Sequence, residues 1–298
     1  MVMSQEHNKK MNAVTIPSIR TSLFQGFSLE TTAKDAVQMG RAMAALPPGT
    51  PVNIAFLGSE SFEQRLAAVQ ALISGRVSPR PIISSRRITS HSVLQSFLEQ
   101  AMVSAPLTGI FLVGGDPQVP QGPFRDSLEL IGSGLLDGLD VQMVGVPGYP
   151  EGHPHIRDEV LWDYLTRKIA ALRERGFDVE ITTQLSFDSE AVVTWIEKVR
   201  QAGLNVPIRV GIPSPSSLTG ILRFAKQCRV GTSAQLLQRY GRHVTSLLGT
   251  EGPERFLTEL MQALEQRNLG EARLHLYPLG DVPKAVAWLH ACEQKALG

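Results

Sequence analysis

The sequence predicts an α/β chain folded as a closed (β/α)8 TIM barrel with extra helices between strands 7 and 8. Short β-branched runs alternate with amphipathic segments, and the alternation can be counted to eight. The connections are short for most of the chain. No GxGxxG or GxxxxGK[ST] occurs, so neither the first turn of a dinucleotide-binding sheet nor a phosphate loop is supported.

Taken in order, the first strand is expected in SLFQGFSLE (22–30) and its helix in AKDAVQMGRAMAAL (33–46). PVNIAFLG (51–58) and FEQRLAAVQALIS (62–74) form the second unit, RPIISS (80–85) and HSVLQSFLEQAMV (91–103) the third. GIFLVGGD (109–116) is the fourth strand and DVQMVGV (140–146) the fifth, followed by the helical pattern VLWDYLTRKIAALRERG (160–176). DVEITTQLS (178–186) precedes EAVVTWIEKVRQ (190–201), which Asp188 or Ser189 is placed to cap. Gly176 and Gly203 stand where C-terminal cap glycines belong. PIRVGIPS (207–214) and ARLHLYPLG (272–280) close the count. Between these last two, LTGILRFAKQCRV, SAQLLQRYG and GPERFLTELMQALEQ supply the extra helices. No linker or repeat divides the chain, so residues 21–298 read as one barrel domain and 1–20 as a mobile N-terminal tail.

Composition narrows the class of partner. Of 298 residues, 43% are hydrophobic and 19% charged, the balance of a globular enzyme, and the formal charge of +1 comes without blocks of like sign. Nucleic acid and membrane surfaces are therefore not expected partners, and a small ligand is. The polar N-terminus lacks an apolar signal core and no run approaches the roughly 20 apolar residues of a membrane span, which points to the cytoplasm. Cys228 and Cys292 sit in helical patterns, so a reducing compartment and core packing are expected, and no His or Cys pair has the spacing of a metal site.

In such a barrel the loops after the strands converge on one mouth, so strand ends are the places to search. Glu30 follows an apolar triplet, and partial burial there would suit a carboxyl group to donate a proton near neutral pH. Ser59 and Glu60 follow the second strand, Arg86 and Arg87 the third, where the pair either binds an anionic group or is solvated. Asp116 follows Gly114 and Gly115; the glycines permit a flat ligand to approach backbone or mark a bulge, and the carboxylate is a ligand group or a helix cap. After the fifth strand comes GYPEGHP (148–154), a connector carrying Tyr149, Glu151 and His153. Gln184 offers both a donor and an acceptor to a heterocycle edge, or is a satisfied inward amide. Ser214 to Leu218 and Tyr277 complete the rim.

These residues occur in an order that resembles the methylenetetrahydrofolate reductase family: FSLE ending in Glu30, VGGD ending in Asp116, YPEGHP, TTQ ending in Gln184, GIPSPSSL and HLYPL. The resemblance implies a flavoenzyme that moves a hydride from NADH or NADPH through FAD to 5,10-methylenetetrahydrofolate, giving 5-methyltetrahydrofolate, or runs in reverse. It implies Glu30 as the general acid that opens the folate's five-membered ring, and Asp116 beside flavin and pterin. Gln184 would hold the pterin, with Leu218 at a position where the family often has a stacking Phe. It further implies FAD contacts from Tyr149, His153, Tyr277 and the backbone of Gly114 and Gly115, with Phe124 where a Tyr commonly contacts the nucleotide and Arg167–Lys168 at its phosphates. Gly114 stands in place of an Arg, Ile82 in place of a His, and an Asp is missing near Leu161. Three alternatives follow: Arg86 and Arg87 compensate and FAD binds, hydride passes directly from nicotinamide to folate, or the barrel binds folate without turnover. Oligomerisation is left open.

Overall fold

The computed structural model describes residues 23–103, 105–216, 253–279 and 282–297. Eight parallel strands pair in chain order and β8 returns to β1, so the barrel is closed. They are β1 (Ser28–Thr32), β2 (Pro51–Ala55), β3 (Ser78–Ser84), β4 (Gly109–Val113), β5 (Met143–Gly148), β6 (Asp178–Thr183), β7 (Ile208–Pro213) and β8 (Ala272–Tyr277). Around them lie α1 (Ala33–Gln38), α2 (Gly40–Met43), α3 (Phe62–Ser74), α4 (His91–Met102), α5 (Ser127–Gly132), α6 (Asp158–Glu174), α7 (Ser189–Gln201), α8 (Glu254–Arg267) and α9 (Val282–Leu297).

Strand alternation sorts side chains between helix shell and barrel interior. Val144, Val146 and Gly148 share one face of β5, and a Cβ at Gly148 would lie 2.5 Å from the Trp195 ring of α7, so this is the helix side. Gly145 faces inward, where a Cβ would run into the Phe111 ring of β4. Lower in the interior, Glu180 of β6 is bonded to Arg80 of β3 and to Arg209 Nε of β7 at 2.9 and 3.0 Å, and all three are buried. Arg209 also donates to the Gly26 carbonyl at 2.8 Å, tying the segment before β1 to the barrel.

Several expected boundaries move. The first strand begins at Ser28 rather than residue 22, because the chain turns at Gly26 (φ +64) and Phe27 N–H closes back on Phe24 O at 3.3 Å. Leu23, Phe24 and Phe27 are core residues of that turn, and Glu30 is the middle residue of β1 instead of its last. The single helix expected over 33–46 is broken between α1 and α2 at Met39. The fifth strand is shifted toward the C-terminus, so Gly148 ends it.

Helix α3 spans residues 62–74 as expected, opened by a capping box between Ser61 and Gln64. Gly176 and Gly203 take φ +84 and +74, and the paired bonds Phe177 N to Leu172 O and Leu204 N to Val199 O, both 3.1 Å, give Schellman ends to α6 and α7. Asp188, not Ser189, caps α7 by accepting from Ala191 N. Of the helices expected between strands 7 and 8, α8 is described; the other two and Cys228 lie outside the described residues, as does the tail at 1–20. Among the described residues no helix is long and apolar enough to cross a membrane, and no group of three potential metal ligands is found. Cys292 is a buried free thiol.

Candidate active site at the barrel mouth

Closure of the barrel brings β8 beside β1, and with it His275 beside Glu30. The Glu30 side chain is partly buried, 17% exposed, with Oε2 at 3.9 Å from His275 Nε2. His275 is fully buried; burial pushes its pKa down, with Glu30 acting the other way, so the ring is neutral at pH 7. Its Nδ1 lies 2.7 Å from Ser28 Oγ, two residues before Glu30 on the same strand, while Nε2 has no hydrogen-bond partner. When the Ser28 hydroxyl donates to Nδ1, the ring proton sits on Nε2 and faces the carboxylate.

Tyr277 extends this arc. Its ring meets His275 edge-on at 4.8 Å, and its hydroxyl donates to Thr183 O of β6 at 3.3 Å, reaching across β7. The crossing requires Gly211: a Cβ there would lie 2.6 Å from the Thr183 and Gln184 carbonyls and 2.7 Å from Tyr277 Cε2. Gln184 is one residue past the end of β6 and exposed, so the expectation of an amide inside the strand is corrected; its N–H donates to Gly148 O at 2.9 Å.

That bond joins the β6 end to the GYPEGHP loop. Gly152 N–H closes on Tyr149 O at 3.0 Å, with Gly152 at φ +72, and the Tyr149 and His153 rings meet edge to face at 5.6 Å. Burial pushes the Tyr149 phenol pKa up to about 12, so it is a neutral hydroxyl at any working pH. Glu151 has a scaffold role: Oε1 accepts from Phe187 N at 2.7 Å and Asp188 N at 3.2 Å, fixing the loop to the entry of α7.

On the opposite arc, Asp116 is not a helix cap but pairs with Arg87. Gly115 takes φ +98, and a Cβ there would collide with Ser84 Oγ, whereas nothing lies within 4 Å of a Cβ at Gly114. Arg86 donates to Gln118 O at 2.9 Å and receives Gln121 N–H on its own carbonyl at 2.8 Å. The two arginines therefore clamp the loop after β4. The residues at the remaining expected contacts form a separate cluster: Phe124 is buried with its ring 5.1 Å from His91, Asp126 caps α5, and Tyr164 donates to Asp126 at 3.1 Å. Lys168 is buried beside them, and Arg167 turns outward to pair with Asp163 at 3.1 Å. Leu218 lies outside the described residues.

A family model described as methylenetetrahydrofolate reductase matches residues 107–287, more than half of the chain and including β4 to β8. The chain belongs to the methylenetetrahydrofolate reductase family. Methylenetetrahydrofolate reductase (NADH) 1 of Arabidopsis thaliana is 27% identical over 213 residues, covering 61% of this chain and 33% of that protein. Methylenetetrahydrofolate reductase 2 of Saccharomyces cerevisiae is 37% identical over 144 residues, 44% of this chain and 23% of that one. The chain thus spans about a third or less of the length of the curated relatives it matches. Among solved structures, an uncharacterized protein from Clostridium thermocellum that binds two copies of 5-methyl-5,6,7,8-tetrahydrofolic acid superposes with a TM-score of 0.60 at 11% identity, covering 93% of this chain and 98% of that one; this likeness is one of fold.

Within this family member, sequence reasoning missed Ser28 and His275. A signal was present, since His275 and Tyr277 alternate along a strand whose intervening residues are apolar. What the sequence lacks is the closure that sets β8 against β1.

Proposed function

We propose that this chain is a methylenetetrahydrofolate reductase-like oxidoreductase, interconverting 5,10-methylenetetrahydrofolate and 5-methyltetrahydrofolate with NADH or NADPH as the hydride partner. The observation that carries the reading is the partly buried Glu30 side chain inside the mouth, next to the neutral His275 that Ser28 fixes. In the reducing direction Glu30 enters in its protonated form: the carbon–nitrogen bond of the five-membered ring breaks, the leaving nitrogen takes the Glu30 proton, a hydride adds to the methylene carbon, and Glu30 is left as the carboxylate that His275 Nε2–H faces. The nicotinamide is oxidised and the folate reduced. His275, with Nε2 3.9 Å from Glu30 Oε2, places a buried neutral ring beside the carboxyl group across the β8–β1 seam. Gln184 offers its exposed amide to the pterin edge and Tyr277 supplies an aromatic wall.

FAD, when bound, carries the hydride between nicotinamide and folate. The residues here fit its ring and one phosphate contact. Open space over Gly114 admits a flat ring against backbone, Tyr149 and His153 stand as an edge-to-face pair at the next strand end, and Lys168 offers a cation. A second reading, direct transfer from nicotinamide to folate, is favoured by the buried Phe124 ring and by Arg86 and Arg87, which are committed to the loop after β4 and do not replace the arginine that Gly114 lacks.

An absorbance spectrum of the purified protein separates the two readings: bands of oxidised flavin are expected, and a colourless protein that still oxidises NADH with methylenetetrahydrofolate would overturn the flavin route. Glu30→Gln, nearly isosteric, is expected to lower folate turnover by about 10²–10⁴-fold, the usual contribution of a general acid, while leaving Tm unchanged. Normal folate turnover by that variant would sink the assignment of Glu30.

A further inference from the structure

The described residues line a partly open cavity of ≈ 230 Å³ on the outer side of the Arg87–Asp116 pair, between the β2–α3 loop, the turn after β3, α3 and α4. It is smaller than the roughly 300–1,000 Å³ of a pocket for a drug-sized ligand, so its occupant would be a fragment of one ring. Its apolar walls are largely aromatic, with Phe62 and Phe97 meeting edge-on at 5.6 Å and Phe56 beside them.

Two guanidinium groups line this apolar space. Arg65 is sandwiched, its guanidinium carbon 3.7 Å from the Phe56 centroid and 4.3 Å from that of Phe97. It is 4% exposed, and its hydrogen bond goes to a neutral group, Ile82 O at 2.7 Å, leaving Nε without a partner. Among the described residues no carboxylate comes within ion-pair distance of it, and Glu60 favours its charge only from beyond that distance. Glu60 lines the same cavity, but its oxygens accept from Ala33 N at 3.0 Å and Leu57 N at 2.9 Å. Arg87, the second cation, directs Nη2 to Asp116 and also leaves Nε unpartnered.

A buried charge is ordinarily paired, and stacking on aromatic faces compensates only part of the lost hydration. Aromatic walls around two guanidinium groups, with the local carboxylate already engaged by backbone, match a ligand that is flat and apolar at one end and anionic at the other. We propose that this cavity is a binding site for a small aromatic monocarboxylate, its carboxylate on Arg65 and Arg87 and its ring against the phenylalanines. The site shares Arg87 with the loop after β4 but requires no reductase activity, and its test measures binding rather than turnover.

The probe is 4-fluorobenzoate, titrated into the full chain and followed by fluorine NMR of the ligand. Saturable binding is expected, with neutral 4-fluorobenzamide weaker by about 10- to 100-fold, the range for losing a charge-assisted hydrogen bond. Val93, on the outer turn of α4, lines the cavity while 41% exposed, so Val93→Trp is expected to fill the space and abolish binding without moving Tm. Gln121→Trp obstructs the cavity from the loop after β4 and keeps the test usable if Val93→Trp folds poorly. Absence of saturable binding at millimolar ligand, equal binding of the amide, or undiminished binding by a folded obstructed variant would each overturn the proposal.

Discussion

Replacing Glu180 by Gln tests how the barrel interior is held beneath its mouth. The carboxylate side chain is 4% exposed and lies between Arg80 and Arg209, whose side chains are 10% and 4% exposed, so three strands are joined through one buried anion. Burial alone would raise the Glu180 pKa, but the two guanidinium groups reverse this and hold it below the ordinary glutamate value. Gln keeps the shape, so the cost is electrostatic rather than that of a cavity. Removing one partner of a buried ion pair costs about 3–5 kcal/mol, because the other charge is left uncompensated. The retained amide oxygen can still accept from one arginine, which places the expectation near the lower end, about 3 kcal/mol. An exposed pair such as Arg167–Asp163, with both side chains 56% exposed, is by contrast worth about 0–1 kcal/mol. For a chain of this size about 3 kcal/mol corresponds to a fall in Tm of roughly 6–12 °C, read by thermal unfolding followed by circular dichroism. The sign of the pH dependence is also fixed. With the folded pKa depressed, the stabilisation is present above the unfolded glutamate pKa and is lost as pH falls through the folded value, so the variant should lose part of the wild-type acid slope. A fall in Tm no larger than that of Asp163→Asn would refute the account.

Burial pushes the Lys168 ammonium pKa down to about 8, with Asp126 pulling it partly back, so between about pH 8 and the ordinary value of 10.5 the unfolded chain binds more protons than the folded one and stability rises with pH. Lys168→Met should remove that rise, and a Tm profile over this window indistinguishable from wild type would contradict the placement of Lys168. Gly211→Ala puts a Cβ against two backbone carbonyls and the Tyr277 ring; overpacking of this kind costs about 1–3 kcal/mol, so a lowered Tm together with a raised KM for folate is expected. Unchanged values of both would mean that Tyr277 does not need the space.

The elements were legible where local chemistry decides them. Helix α3 carries its start in Ser61 and Gln64, and α6 and α7 carry their ends in Gly176 and Gly203, whose positive φ suits a residue without a side chain. The first strand was started too early because the apolar Leu23, Phe24 and Phe27 lead directly into Leu29, while the turn at Gly26 that separates them from the sheet is held from a distance by Arg209. Arg80, Glu180 and Arg209 drew no notice for a related reason. A charged residue alternating with apolar ones reads as solvent-facing until the sheet closes and that face becomes the inside of a barrel. His275 is the same case at the mouth: Glu30 could be singled out from its own neighbours, but its partner is 245 positions away and is supplied by β8 pairing with β1.

The loop GYPEGHP divides its polar residues between two tasks, and the division bears on how variants there should be read. Glu151 faces the chain, accepting the two N–H groups that lead into α7, at the N-terminal end where the helix dipole also favours a carboxylate. Tyr149 and His153 instead pair with each other, and the turn that lets them meet depends on Gly152 in the left-handed region. Loss of Glu151 therefore acts by freeing the loop from the β6 side of the mouth, whereas loss of Tyr149 or His153 removes one ring of the aromatic pair itself. Because Gln184 N–H also bonds to Gly148 O, the two strand ends are tied together, and the position of the exposed Gln184 amide is set by the same loop that presents the aromatic pair.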